Sequence, residues 1–272
     1  MKVNFKKAVI FAIGFLLFFY VLAVPQRTFA ATVKPAIFLL PHQDDEMFML
    51  GTIRQKIEEK IPVFTIMVTD GSQSHVHDVL NGVDESGAPV FDVLYREYHR
   101  PSKEHYRKLE TLDFVRARNY EYYRAMLRIG VPASHILFAN PGGVNGSLKP
   151  LYQDRGLSDD LADEVIATYY KFFGDGTYYT VDANRGHSDH QALHRALLDF
   201  TKITDKHFFS ERIGVGAPVE LSAEELRRKT YALDAYYEWW PQKGRFAIGA
   251  HSVATILLNK WRSHHAEYLL DE

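Results

Sequence analysis

The sequence contains no cysteine. A disulfide framework, a thiolate nucleophile and a sulfur-bound metal are therefore excluded, and any ion must be held by nitrogen and oxygen. Charge of one sign is also lacking, with a formal net charge of −2 at pH 7. That balance hides an asymmetry, because residues 1–30 carry Lys2, Lys6, Lys7 and Arg27 and no acid. The remainder is mildly acidic and has no basic stripe, which argues against nucleic acid or another polyanion as a partner. No internal repeat and no linker-like stretch divides the body of the chain. What the sequence does have is 272 residues, 46% of them apolar, enough for one large domain with a substantial core.

Lys2, Lys6 and Lys7 precede an uninterrupted apolar run over 8–24, and Pro25 breaks it. Thr28-Phe29-Ala30 then offers small residues at the positions a signal peptidase reads. The pattern predicts an export signal over 1–30, cleaved after Ala30, and a single domain over 31–272. The protein is expected outside the cytoplasm, secreted or associated with the cell envelope. An apolar run of this length also meets the lower end of the roughly 17–25 residues that span a bilayer. An uncleaved anchor is the alternative, and it would be the only membrane contact; oligomeric state is not legible.

From residue 34 the chain alternates strand and helix patterns. Short apolar runs at 34–40, 63–68, 136–139 and 177–181 read as strands, and helical spacing marks 46–60, 116–128, 158–173, 188–201 and 222–240. Ser222 followed by Glu225 is a capping-box pattern. Repeated units of this kind predict an α/β fold: an open, Rossmann-like, mostly parallel sheet with helices on both faces. The stretch between Gly71 and Arg116 exceeds forty residues without sustained periodicity. Loops of that length are functional walls or lids, or else disordered.

Two clusters of ionisable residues follow predicted strands, at the sheet edge where open α/β folds bind ligands. The first is Pro41-His42-Gln43-Asp44-Asp45-Glu46. His42 and Asp45 are three apart, so a turn can aim both at one ion, whereas adjacent Asp44 and Asp45 cannot both face the same point. An acidic helix N-terminus with an incidental histidine is the plainer explanation. The second is Gly186-His187-Ser188-Asp189-His190, whose two histidines flank a carboxylate; a lone pair of histidines at a helix start is more often surface decoration. Together the clusters supply two imidazoles and a carboxylate with an open coordination position, the donor set of a catalytic zinc site.

Pro41-His42-Gln43-Asp44-Asp45-Glu46 resembles the PHPDDE signature of the LmbE-like (PIG-L) family of zinc-dependent N-acetylglucosamine deacetylases. His187-Ser188-Asp189-His190 resembles that family's HPDH signature, Thr69-Asp70-Gly71 its TDG, and Arg118-Asn119-Tyr120-Glu121 with Ala125 and Gly130 its RxxE…A…LG helix. The matches run in order from about residue 34 to 200; the C-terminal seventy residues match poorly. The resemblance implies one zinc ion per chain, held by His42, Asp45 and His190, with Asp44 as general base. It implies His187, protonated and oriented by Asp189, at the scissile carbonyl, and Arg118 as a substrate contact; an ion pair of Arg118 with Glu121 on the helix surface is the plainer alternative. The implied reaction removes an N-acetyl group from an N-acetylglucosamine-type sugar or short glycan and releases acetate. Gln43 and Ser188 replace prolines of the two signatures, so both loops lose a fixed φ. Hydrolysis of a different amide or ester, or carbohydrate binding without turnover, would use the same ligands.

His75, His77, His264 and His265 read as loop or surface histidines. Tyr231, Tyr236, Tyr237, Trp239 and Trp240 read as helix packing, with a sugar-stacking platform as the alternative. The expected partner is a small carbohydrate substrate.

Overall fold

Strand β1 (Ala36–Leu40) is buried along its whole length, a burial that demands cover on both faces of its sheet. In the computed structural model, which describes residues 33–139, 152–183, 186–253 and 255–270, that cover comes from helices on either side. The export segment over 1–30 and the turn-rich 140–143 lie outside the described residues. The elements all fall in the unit Lys34–Glu272.

β1 pairs in parallel with β2 (Val63–Met67), and β2 with β3 (Ile136–Phe138). On its other side β1 pairs in parallel with β4 (Thr177–Val181), and β4 with β5 (Lys206–Phe209). Like β5, the two strands that finish the sheet are not marked in the sequence: β9 (Ala266–Leu270) runs antiparallel beside β5, and β6 (Ala217–Glu220) antiparallel beside β9. The order is β3-β2-β1-β4-β5-β9-β6. The chain thus leaves β1 in one direction and returns to β4 in the other, which makes the β1–β4 border the switch point where such sheets bind ligands.

Side-chain alternation splits the core. Ala36, Phe38 and Leu40 face one side, under α1 (Leu50–Glu58) and α3 (Thr111–Ile129), with α6 (Ala223–Leu233) and Trp261 in the same cluster. Ile37 and Leu39 face the other, under α4 (Asp159–Phe173) and α5 (Ser188–Asp199). The long stretch after Gly71 is ordered. It holds α2 (Val76–Asn81), and Val76, Leu80 and Leu109 pack with Phe114, Phe246 and Ile248 in a third cluster. Phe246 belongs to β8 (Arg245–Phe246), which pairs with β7 (Trp239–Trp240), and Ile248 opens α7 (Ile248–Ser252).

Two predicted helices are broken in the structure. The stretch 46–60 becomes a 3-10 turn, Asp45–Phe48, and then α1, parted by Met49 at φ −140°. The break has a long-range cause: Glu267 of β9 accepts the backbone N–H groups of Gly51 (2.7 Å) and Thr52 (2.8 Å), capping α1 from another element. The stretch 222–240 ends as a helix at Leu233, passes through a 3-10 turn (Asp234–Tyr237) and finishes as β7. Pro241 restricts Trp240 to extended backbone, so the helix could not have continued. Ser222 and Glu225 do form the capping box.

Glu267 is fully buried together with Lys229, whose Nζ donates to it at 2.8 Å. Removing one partner of a buried pair strands the other charge, at about 3–5 kcal/mol. Lys229→Met is therefore expected to lose roughly that much stability in denaturant titration; an unchanged midpoint would show that the pair holds nothing together.

Candidate metal centre and active site

Both clusters stand at the β1–β4 switch point. His42 and its neighbours follow β1, whereas His187 and His190 open α5 just beyond β4. The structure brings His42, Asp45 and His190 together: His42 Nδ1 lies 3.0 Å from His190 Nε2, His190 Nε2 lies 3.1 Å from Asp45 Oδ2, and His42 Nδ1 lies 3.5 Å from Asp45 Oδ2. A tetrahedral ion with bonds near 2.0–2.1 Å has ligand-to-ligand edges of about 3.3 Å. The triangle fits.

The outer nitrogen of each ring faces a carboxylate. His190 Nδ1 meets Glu211 Oε1 at 2.6 Å, and His42 Nε2 meets Asp189 Oδ2 at 3.1 Å and Asp154 Oδ1 at 3.3 Å. Carboxylates accept, so these nitrogens carry the hydrogens, and the inner nitrogens are left as lone pairs 3.0 Å apart. Only a shared proton or a cation makes that approach favourable. A carboxylate behind each ligating imidazole is also the usual support of a metal site.

Electrostatics agree. Burial disfavours charge on His42, but Asp154, Asp189 and Asp45 outweigh it and hold the ring's pKa well above the usual histidine value. His190 is disfavoured by burial as well, yet Asp45 and Glu211 raise it to about 9. Burial would raise Asp45, but His190 and His42 bring it far below the carboxylate range. The pocket is acid-rich and holds protons on its histidines where a metal would supply charge. His187 also groups with His42 and His190 within 4.8 Å, and His42 groups as well with Asp154, His187 and Asp189, but that last arrangement removes the acceptors that fix His42.

Asp44 is set apart from Asp45 by its backbone. Its φ of 113° lies in the left-handed region, strain of about 1–3 kcal/mol for a non-glycine residue. The carboxylate thereby turns from Asp45 to Arg118, whose Nη2 donates to Asp44 Oδ2 at 3.1 Å. The same guanidinium donates to Gly71 O (2.8 Å), Gln43 O (3.1 Å) and Ser252 Oγ (3.3 Å). Gly71 at φ +63° admits this approach, because a Cβ there would fall 2.3 Å from Arg118 Nη1. Burial raises the pKa of Asp44, and Arg118 opposes the rise.

Three expectations change. Arg118 is only 4% exposed and its guanidinium donates to Asp44 rather than to Glu121, so it is no surface ion pair; Glu121 accepts from the backbone of Ile248 and Gly249. Asp189 does not orient His187: its carboxylate accepts from the backbone of Arg155 (2.7 Å) and Leu157 (3.2 Å) and meets His42. His187 is not protonated at neutral pH, since burial and the charges of His42 and His190 lower it to about 4.

Asp154 and Glu211 were missed. Asp154 is held by Asp70, which accepts its N–H at 2.9 Å, and it stands 3.8 Å from His187 Nε2; no periodicity marks its segment. Glu211 follows β5, and the run Phe208-Phe209-Ser210 was the available signal. The doubtful histidines fall outside this site: His77 Nε2 meets Leu109 O, and His264 Nε2 meets the Tyr268 hydroxyl. Tyr236 is buried with its hydroxyl on Glu46, Trp239 is partly buried, and Tyr231 and Trp240 are exposed.

The family model described as PIG-L, GlcNAc-PI de-N-acetylase, matches residues 37–201. No curated protein matches the sequence. Among solved structures, a deacetylase triple mutant (Orf2*T) of the teicoplanin biosynthetic pathway aligns with a TM-score of 0.54 at 14% identity, covering 83% of this chain and 88% of that one. The A40926 pseudoaglycone deacetylase Dbv21 aligns at 0.51 and 15%, covering 82% and 85%. GalB, a 4-carboxy-2-hydroxymuconate hydratase from Pseudomonas putida KT2440, aligns at 0.50 and 12%, covering 88% and 95%. The likeness to a hydratase as well as to deacetylases shows a shared fold and leaves the chemistry to the site.

Because their acidic neighbours raise His42 and His190, the inner nitrogens hold a shared proton that a metal must displace. Apparent metal affinity is therefore expected to climb as pH rises from 6 towards 9, with protons released to buffer. Calorimetry in buffers of different ionisation enthalpy reads that release; a pH-independent affinity with none would contradict the assignment.

Proposed function

The chain belongs to the PIG-L de-N-acetylase family, and we propose that it is a zinc-dependent hydrolase that removes the N-acetyl group from an N-acetylglucosamine-type sugar or short glycan. The observation that carries the reading is the meeting of His42 Nδ1, His190 Nε2 and Asp45 Oδ2, within 3.0–3.5 Å of one another, beside a separately held Asp44. His42, Asp45 and His190 hold the ion. When bound, zinc supplies Lewis acidity and brings the pKa of water towards ~7.

Asp44 accepts a proton from the attacking water, and Arg118 keeps its carboxylate aimed and ionised. His187, partly buried in its pocket and uncharged at neutral pH, donates one N–H to the oxygen of the acetyl group as charge develops there. Asp44 then returns its proton to the leaving nitrogen. The C–N bond breaks to give acetate and a free amino sugar, and Asp44 is restored as a carboxylate. Asp154 and Asp189 hold His42, and Glu211 holds His190.

The N-terminal charge and apolar pattern supports action outside the cytoplasm. That setting favours an envelope or environmental glycan: an N-acetylglucosamine monomer, a chitin-like oligomer or a peptidoglycan fragment. Zinc-loaded protein is expected to release acetate from at least one of these. Asp44→Asn should lower that release by about 10²–10⁴-fold with metal content unchanged. Full activity in this variant removes Asp44 as the base, and no acetate from any of the sugars removes the substrate class.

A further inference from the structure

A second group of side chains repeats the chemistry of the first and shares no residue with it. Asp92 Oδ2 lies 2.8 Å from His99 Nε2 and 3.0 Å from His251 Nε2, and the three ligand atoms all lie within 4.8 Å of one another. None of the three side chains is more than 2% exposed. Asp92 and His99 belong to the excursion between Gly71 and α3, whereas His251 is on α7, so distant stretches of chain converge here.

Proton accounting makes the convergence unfavourable without a cation. His251 Nδ1 meets Ala247 O at 2.7 Å; a carbonyl oxygen only accepts, so this nitrogen carries a hydrogen. His99 Nδ1 meets the carboxylate of Glu104 at 2.9 Å and is committed in the same way. Each Nε2 is then either a bare lone pair aimed at a carboxylate oxygen or the site of a second hydrogen. The first repels. The second sets two imidazolium rings on one oxygen, in a pocket walled by Trp239 (ring centroid 4.9 Å from His99) and Tyr95 (5.3 Å from His251). A cation between the Nε2 atoms and Asp92 removes the conflict. Outer nitrogens fixed by a carboxylate and a backbone carbonyl are the pattern of metal-ligating histidine.

We propose that Asp92, His99 and His251 bind a second metal ion, a divalent transition metal of the zinc type, with a structural role. Two imidazoles and one carboxylate suit that class of ion. The ion fastens the excursion to α7. Ser252, next to His251, accepts from the guanidinium of Arg118 that also reaches Asp44, so the fastening lies beside the support of the proposed base.

The test uses full-length protein stripped with chelator, reloaded with Zn2+ and desalted, with bound metal measured by elemental analysis. Wild type is expected to keep two ions, and His190→Ala, which disables the first site, to keep one. Folded His190→Ala that keeps none overturns the proposal. If that variant does not fold, cobalt decides. The sequence has no cysteine, so a thiolate-to-cobalt charge-transfer band in Co2+-loaded His251→Cys can arise only at residue 251. The band is expected there and not in wild type or in Ser86→Cys, a control at an exposed position. Its absence from His251→Cys with native circular dichroism overturns the proposal.

Discussion

Two imidazole nitrogens held 3.0 Å apart, His42 Nδ1 and His190 Nε2, are the constraint around which this molecule is organised. They come from opposite sides of the β1–β4 border, so only the completed sheet brings them together. Their approach is unfavourable unless positive charge lies between them. Asp45 completes the grip, while Asp154, Asp189 and Glu211 stand behind the rings. Burying so many carboxylates in one pocket is costly unless cations balance them. The fold meets that cost where parallel strands end and backbone amides, such as those of Arg155 and Leu157, are available to acids.

A second consequence concerns Asp44. Its left-handed backbone divides adjacent carboxylates between two tasks, one towards the imidazoles and one towards Arg118. Strain of this kind persists only where surroundings over-determine it. Here those surroundings include the C-terminal part of the chain. Glu121 takes the backbone N–H groups that open α7, Ser252 of α7 touches Arg118, and Tyr236 places its hydroxyl on buried Glu46. The C-terminal seventy residues lie beyond the reach of the family model, which ends at residue 201, yet they buttress its central loop. Glu267 does the same for α1.

Much of this was legible in the sequence for a physical reason: buried parallel strands must be apolar throughout, and four of the five parallel strands announced themselves in that way. The metal-type residues were legible because they sit directly after two of those strands. What escaped was long-range. β5, β6 and β9 are short and mixed in character. The break before α1 depends on Glu267, more than two hundred residues away. Asp154 and Glu211 come from segments without periodicity. The contact of Arg118 with Asp44 is not legible because a helix pattern reports a side chain's face but not its partner. The resemblance implies Asp189 behind His187, whereas its carboxylate meets His42 from 147 residues away.

The measurement that bears most directly on this account is anomalous diffraction at the zinc edge from zinc-loaded crystals. The account predicts a peak about 2.0–2.2 Å from each of His42 Nδ1, Asp45 Oδ2 and His190 Nε2, with the outer ring nitrogens still on their carboxylates. A peak on the other side of the ring instead, bound by His42 Nε2 with Asp154, His187 and Asp189, would contradict it.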